Sequence, residues 1–419
     1  MDKKLKIGII GLGTVGQGVV KVLRQIDGPF EDIEIVAAAV KNLSKKRDVE
    51  VNLTDDVYSI VNNPEIDVVV EVAGGTGVLD ALKCAIQNHK HIVTANKELL
   101  ARHGAELFDL AREKGVTILY EAAVAGGIPI IMPIKTSLKA NYFDTVAGIL
   151  NGTTNYILTK MEEDKISYEE CLKRAQELGY AETDPTGDVE GWDAMYKIAI
   201  LANIVFNKRI DINKIYREGI TKISAQDIEI ANELGYKIKL IAQAKRIGEA
   251  LDIRVHPMLV NKNLPISEIK NATNAVFLAG HPVNKVMFTG PGAGEFPTAS
   301  SVVGDILSIK AEIGKSETIL PMMSCHHSEF AQQINIEDTT NCYYLSIVAS
   351  NKPGIIGKLG CACAQFGINI SYIIQKGASS DSANIIVVTE NCLEKSMNNM
   401  IRELEHDGTA KVVNKIRVM

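Results

Sequence analysis

The 419-residue chain has no apolar run approaching the ~18 residues that a membrane-crossing helix needs, so neither a span nor a membrane partner is expected. It also lacks a large excess of either charge. Its 45 Lys+Arg against 51 Asp+Glu leave a net −6, which argues against nucleic acid as a main partner. Cysteine is scarce: the seven, at 84, 171, 325, 342, 361, 363 and 392, are scattered and odd in number, as expected for free thiols in a reducing cytoplasm. The start, MDKKLKIGIIGLG, puts lysines before apolar residues as a signal peptide does. Its apolar stretch is short and glycine-punctuated, with no small-residue cleavage pattern behind it, so it reads as a first β-strand. What remains is an ordinary globular composition, 46% hydrophobic and 23% charged, at a length suited to two or three domains.

Residues 5–10, LKIGII, form a buried-strand pattern that runs into Gly11-Leu-Gly13-Thr14-Val15-Gly16 and then into a helical pattern. This is G-x-G-x-x-G between a strand and a helix, the context a dinucleotide site requires. Gly11 permits the tight turn, Gly13 lets a pyrophosphate approach, and Gly16 lets helix and strand pack. The helix start then offers unpaired N–H groups to phosphate; the alternative is a glycine turn without a ligand. After the next strand, 33–40, an NAD reader would carry an acidic residue for the ribose. Here stand Lys41, Asn42, Lys45, Lys46 and Arg47. Cations suit a 2′-phosphate, so NADP(H) is favoured with NAD(H) possible, against a solvated basic loop. A further strand at 66–75, a strand and helix start within 91–100, and a strand and glycine turn within 115–130 alternate with helical patterns at 79–89 and 99–114, which predicts a doubly wound parallel sheet. Thr94, Asn96 and Lys97 fall at a strand's C-terminal end, where such sheets bind ligands. A lone lysine there is otherwise surface decoration.

From about 136 the texture changes. A strand leads through the polar turn Asn151–Asn155 into a helix expected to start near Tyr156, and an amphipathic helix covers 168–178. AETDPTGDVEGWDAMYK follows at 181–197, with five carboxylates, the only tryptophan and a closing lysine. Asp193 and Lys197 are four apart on an otherwise apolar helix, 192–206, so they share a face. A lysine held against carboxylates in a partly dry site keeps its proton and can give it to a developing alkoxide. Glu182 and Asp188 suit a cationic ligand such as an amino group; the alternative makes these acids caps and solvated loop residues. Asp184 and Glu190 are expected to be structural or solvent-facing.

The 23 residues Ala175–Lys197 closely resemble the signature of homoserine dehydrogenases, with Ala175, Gly179, Asp184-Pro185, Asp188, Gly191, Asp193 and Lys197 at its spacings. GLGTVG (11–16), TANK (94–97), EAAVAGGIPI (121–130), LNGTTNYIL (150–158) and GPGAGEFPTASSVVGDI (290–306) match in order, over roughly residues 5–320. The resemblance implies NAD(P)H-dependent reduction of L-aspartate 4-semialdehyde to L-homoserine, toward threonine, methionine and isoleucine. It implies Lys197 as proton donor, Lys97 as second active-site lysine, and Glu182, Asp188, Asp193 and Tyr180 as substrate contacts. It implies Gly294 as a cofactor contact beside Gly11, Gly13, Thr14, Val15, Gly16, Lys41, Thr94 and Lys97. It further implies a monovalent cation, usually Na⁺, held mainly by the backbone carbonyls of Glu121, Val124, Gly126 and Ile128. Rival readings are a related oxidoreductase acting on another amino-acid aldehyde, and a sensor that kept the fold without catalysis.

After a polar linker, strand and helix patterns from 342 run in the order βαββαβ, the ferredoxin-like module. Asn351-x-Pro353-Gly354-Ile355-Ile356-Gly357 resembles the ligand loop of ACT domains, with L-threonine the candidate effector and a purely dimerising module the alternative. Cys325-His326-His327 is not expected to bind metal, because three ligands in a row cannot easily converge on one ion. Cys361 and Cys363 are expected to pack a helix face on the sheet, with redox sensing the alternative. The expected architecture is therefore α/β: a Rossmann-type doubly wound parallel sheet at 1–135 with a return segment near 295–320, an α+β catalytic and dimerisation domain at 136–294, a linker at 321–340 and an ACT domain at 341–419. A homodimer or homotetramer is expected.

Overall fold

The computed structural model describes residues 4–25, 32–313, 323–376, 381–406 and 408–419. The chain divides into two compact units: Met1–Gly152, Asp193–Asn213 and Ala272–Ala331 form one, and Thr153–Trp192, Lys214–Asn271 and Gln332–Met419 the other. Among the described residues, no helix is long and apolar enough to cross a membrane.

The first unit is built on a six-stranded, all-parallel sheet. Its strands lie in the order Leu53–Thr54, Ile33–Ala39, Leu5–Ile10, Val68–Glu71, His91–Thr94, Ile118–Leu119. The central strands are buried on both faces, which is why they read as continuous Val and Ile runs rather than alternating ones. The strand order reverses between Leu5–Ile10 and Val68–Glu71, and that switch point is where such sheets open a crevice for ligands. The helix Glu295–Glu312 returns to this unit and packs on the helix Thr14–Gln25. Gly18 permits the contact, since a Cβ there would stand 2.8 Å from Glu295 and 3.1 Å from Ala299. The unit also contains a three-stranded antiparallel sheet, Tyr142–Ile149, Thr273–His281 and Asn284–Pro291.

The second unit carries the long hairpin Tyr236–Ile247/Ala250–Asn261. It also carries the βαββαβ module, whose strands Thr340–Ser350, Ile370–Lys376, Ser382–Thr389 and Ala410–Val418 lie in the order fourth, first, third, second. The helices Ile355–Gln365 and Glu394–Glu405 cover it around Tyr343, Leu345, Ile347, Leu359, Met397 and Leu404. The module is joined to the hairpin by parallel pairing of Met258 with Arg417 and Leu259 with Val418. Arg417 is fully buried and makes a bidentate pair with Glu394 at 2.6 and 2.8 Å, while reaching Glu218 at 3.3 Å.

Three local expectations change. The helix expected near Tyr156 starts at Gly152, so the polar Thr153–Asn155 form its first turn. Those residues are buried with bonds to match: Asn155 Nδ2 donates to Ile269 O and Asn271 O at 3.2 and 2.8 Å. The ACT-like helix starts at Ile355, before Gly357. Cys363 is buried in the module's core but Cys361 is exposed, because residues two apart on a helix point to opposite sides.

Candidate active site

In the first unit the glycine loop has the geometry its motif demands. Gly11 has φ +96°, and a Cβ there would lie 2.6 Å from Ala73 Cα, so the two strand ends at the switch point can meet only at glycine. A Cβ on Gly16 would stand 2.3 Å from Gly11 O, whereas nothing lies within 4 Å of that position on Gly13. Gly13 and Thr14 are exposed and Val15 is half-buried at the start of the helix Thr14–Gln25. The loop therefore has an open backbone face beside a helix N-terminus. The basic segment is not a free loop: Arg47 Nε donates to Leu12 O at 3.3 Å and its NH2 to Asn42 O at 2.8 Å, leaving Lys41 exposed beside them.

At the next strand ends, Glu71 is wholly buried. Thr94 Oγ1 donates to it at 2.6 Å, and the N–H groups of Ala73 and Gly74 at 2.9 and 3.2 Å. Burial raises the Glu71 pKa against those bonds. Thr94 is thus buried with its hydroxyl committed to Glu71. Sequence reasoning passed over Glu71, although a carboxylate ending a run of valines was a visible signal. Asn96 donates to Gly75 O at 2.7 Å and caps the helix Lys97–Lys114 by accepting from Leu99 N at 3.0 Å. Lys97 is therefore that helix's first residue.

Lys97 meets Asp193 and Lys197 directly. Asp193 Oδ1 is 2.9 Å from Lys97 Nζ, and Asp193 Oδ2 is 2.7 Å from Lys197 Nζ. Asn151 Nδ2 donates to the same Oδ2 at 2.9 Å, and Lys197 Nζ also donates to Leu150 O at 2.7 Å. Burial opposes the charge on Asp193, but Lys197, Lys97 and Asn151 outweigh it and hold its carboxyl well below the usual carboxylate range. Two ammonium groups share one carboxylate, so the group carries a net positive charge, with Lys97 the more exposed cation. The two lysine-bearing helices are tied together where Arg102 NH2 donates to Tyr196 OH at 2.7 Å. Such an arrangement can stabilise and protonate an oxyanion.

The 121–128 segment is buried in the same unit. Glu121 accepts the N–H groups of Ile130, Ile131 and Met132 at 2.5, 2.8 and 2.7 Å, so its carboxylate is fully engaged. Ala125 and Gly126 both have positive φ, 57° and 53°. A Cβ on Gly126 would lie 2.5 Å from Gly292 O. Gly294, φ +120°, caps the helix Glu295–Glu312. Cys325 and His327 are buried, and burial, then Lys135 and Arg209, pushes the His327 pKa down to about 4. Among the described residues no His/Cys/Asp/Glu group could hold a metal ion.

In the second unit Thr153 Oγ1 lies 2.6 Å from Tyr180 O and 3.1 Å from Asp188 Oδ2, and the Tyr180 ring packs on Tyr156 at 4.9 Å. Glu182 is exposed. The two unassigned acids are structural: Asp184 accepts Thr186 N at 3.1 Å, and Glu190 accepts from Thr221 Oγ1 at 3.1 Å. Trp192 is stacked under Arg217 at 3.7 Å, and Arg217 also donates to Glu190 O. Asn351, Pro353, Gly354, Ile356 and Gly357 are exposed and Ile355 half-buried, at the N-terminus of the helix Ile355–Gln365, which Gly354 enters with φ +94°.

Known proteins resemble this chain throughout. Residues 11–121 match the family described as "Homoserine dehydrogenase, NAD binding domain", 129–307 match "Homoserine dehydrogenase", and 343–406 match "ACT domain". A homoserine dehydrogenase from Synechocystis sp. is 41% identical over 430 residues, covering 99% of each chain. A crystal structure of a homoserine dehydrogenase from Thiobacillus denitrificans has a TM-score of 0.91 at 37% identity, covering 100% of this chain and 98% of that one. A hyperthermophilic archaeal homoserine dehydrogenase in complex with NADPH has a TM-score of 0.64 at 25% identity, covering 74% of this chain and 98% of that one.

Proposed function

The chain belongs to the homoserine dehydrogenase family, and from that premise we propose that it reversibly reduces L-aspartate 4-semialdehyde to L-homoserine, with NADPH preferred over NADH. The observation that carries this reading is Asp193 bridging the half-exposed Lys97 and the buried Lys197 in the unit that also holds the glycine loop. NADPH, when bound, supplies hydride to C4 of the aldehyde. The open backbone at Gly13 and the helix start at Thr14 and Val15 would hold its pyrophosphate, Lys41 with Arg47 behind it its 2′-phosphate, and Gly294 a further part of the cofactor. Lys197 delivers the proton to the former aldehyde oxygen, and Lys97 offsets that oxygen's charge as it develops. Asp193, with both oxygens engaged, keeps the two lysines charged and fixed; Glu182, Asp188 and Tyr180 bind the substrate's ammonium end.

A monovalent cation, Na⁺ first among candidates, fits the 121–128 segment as a ligand of the backbone carbonyls of Glu121, Val124, Gly126 and Ile128. The Glu121 carboxylate is already taken by three N–H groups. We place the enzyme in the cytoplasm, in threonine, methionine and isoleucine synthesis, as a homodimer or homotetramer. Threonine would act at Asn351, Pro353, Gly354, Ile355, Ile356 and Gly357. The test is oxidation of NADPH and of NADH with aspartate semialdehyde and with longer amino-acid aldehydes, each with and without threonine. Absence of turnover on the semialdehyde sinks the catalytic reading. Turnover indifferent to threonine sinks only the regulatory part.

A further inference from the structure

Glu71 ends the strand Val68–Glu71 at the switch point and is fully buried. An apolar side chain would fill that space without the cost of taking a carboxyl out of water. What the carboxyl adds is hydrogen bonds, and they run to two separate loops. Oε1 accepts the N–H groups of Ala73 and Gly74 at 2.9 and 3.2 Å. Oε2 accepts the Thr94 hydroxyl at 2.6 Å, and Asn96 Nδ2 reaches back to Oε1 at 3.3 Å. Thr94 Oγ1 itself accepts the N–H of Asn96 at 3.0 Å, so its own proton is left for Glu71.

The first arm fixes the wall against the glycine loop: Ala73 Cα and N lie 2.6 and 2.7 Å from where a Cβ of Gly11 would stand. The second arm fixes the start of a helix. Glu71 and Thr94 hold Asn96, which accepts Leu99 N at 3.0 Å and donates to Gly75 O at 2.7 Å, closing the two loops on each other. Lys97 follows as the first residue of that helix, and its Nζ lies 2.9 Å from Asp193 Oδ1. With 42% of its side chain exposed, Lys97 has little packing of its own to hold it. Its position therefore follows the backbone that Thr94 and Asn96 set. A shift of about 1 Å at a group facing the reacting atoms can cost up to ~10²-fold in rate.

We infer that Glu71 is a positioning residue for Lys97: sealed from solvent, it acts through the Thr94–Asn96 turn that places the lysine. The inference rests on the reading above in which Lys97 offsets the developing charge. Glu71→Gln separates the two arms. With its carbonyl toward Ala73 and Gly74 the first arm is kept, while its NH2 meets the Thr94 hydroxyl and weakens the second. Hydrogen exchange of the full-length protein reads the arms directly. Amides 95–100 are expected to exchange at least about tenfold faster in Glu71→Gln, and those of 5–16 and 72–75 as in wild type. With NADPH and aspartate semialdehyde, kcat is expected to fall about tenfold. Added to Lys97→Met, the same substitution is expected to lower kcat by less than about twofold, because the group it places is already gone. A role in stability alone would speed exchange in both loops alike and multiply the two kcat losses. Either result overturns the assignment, as does a Glu71→Gln protein with exchange at 95–100 unchanged. A wild type that does not turn over the semialdehyde overturns the function proposed above, and the exchange pattern then decides for Glu71. If Glu71→Gln does not fold, Thr94→Val, which removes the Oε2 donor at nearly the same volume, decides by the same exchange pattern.

Discussion

Replacing Asp193 with Asn keeps the side chain's shape and removes the charge between two lysines. The wild-type carboxylate lies 2.9 Å from Lys97 Nζ and 2.7 Å from Lys197 Nζ, with side-chain exposures of 10% for Asp193 and 8% for Lys197. Two unit charges about 4 Å apart interact by about 4 kcal/mol at an effective dielectric constant of ~20. At 1.36 kcal/mol per unit this corresponds to roughly three pKa units, and relaxation with water entry from the exposed Lys97 side reduces it to about two. The alkaline limb of the kcat profile, which reports loss of the donor proton, should therefore fall by about two pH units in Asp193→Asn. Asp193 itself contributes no acid limb. Its folded pKa is depressed, so its stabilising ionisation is complete above the unfolded value near pH 4 and is lost only as pH falls through the lower folded value. The assay is NADPH oxidation with aspartate semialdehyde from pH 5 to 10.5, beside cofactor titration by fluorescence. An Asp193→Asn profile superimposable on wild type, or a loss confined to KM, would refute the reasoning.

Three further outcomes follow from single contacts. Lys41→Ala should raise KM for NADPH about tenfold, the scale of one charge-assisted contact, with KM for NADH unchanged; an equal shift for both cofactors removes Lys41 from the 2′-phosphate site. Lys239 is buried with its pKa pushed down to about 8 by burial, while Nζ donates to Asn155 Oδ1 at 3.0 Å and Ile269 O at 2.6 Å. The folded state binds this proton less tightly, so the stability of wild type relative to Lys239→Met should rise as pH climbs from 8 to 10.5; a flat difference in urea melts contradicts this. Arg417→Met removes two of the bonds to Glu394, which is 2% exposed and keeps Lys415 and Tyr343 as partners, and should cost about 1–3 kcal/mol in urea unfolding; a loss of about 5 kcal/mol or more would mean that Lys415 does not hold the remaining charge.

The parallel sheet was legible because its central strands are runs of Val and Ile, and the glycine loop because G-x-G-x-x-G stands between a strand and a helix; in the fold Gly11 and Gly16 meet Ala73 and Gly11 O while Gly13 faces open space. Lys97, Asp193 and Lys197 were legible singly; their convergence was not. It depends on the Asn96 cap and the Arg102–Tyr196 bond, which join residues distant in sequence. The polar Thr153–Asn155 misled because buried polar groups are tolerated wherever tertiary partners exist, and Asn155 finds them at 269 and 271. Trp192 was visible as a large residue at a helix start, but its partner Arg217 is 25 positions away with no spacing to announce it. Glu71 and Arg417 were passed over for different reasons: Glu71 ends a run of valines and so declares burial without a partner, whereas Arg417 stands in a strand with Lys411, Asn414 and Lys415 and nothing there singles it out; only the fold names what each faces.

The central claim is that Lys197 gives the proton that completes reduction. Single-turnover and steady-state rates of Lys197→Met, with NADPH affinity measured separately, test it most directly. Lys197→Met is expected to lower kcat by about 10²–10⁴-fold, the usual contribution of a positioned general acid, with NADPH binding unchanged. A Lys197→Met enzyme with near-normal kcat would contradict it.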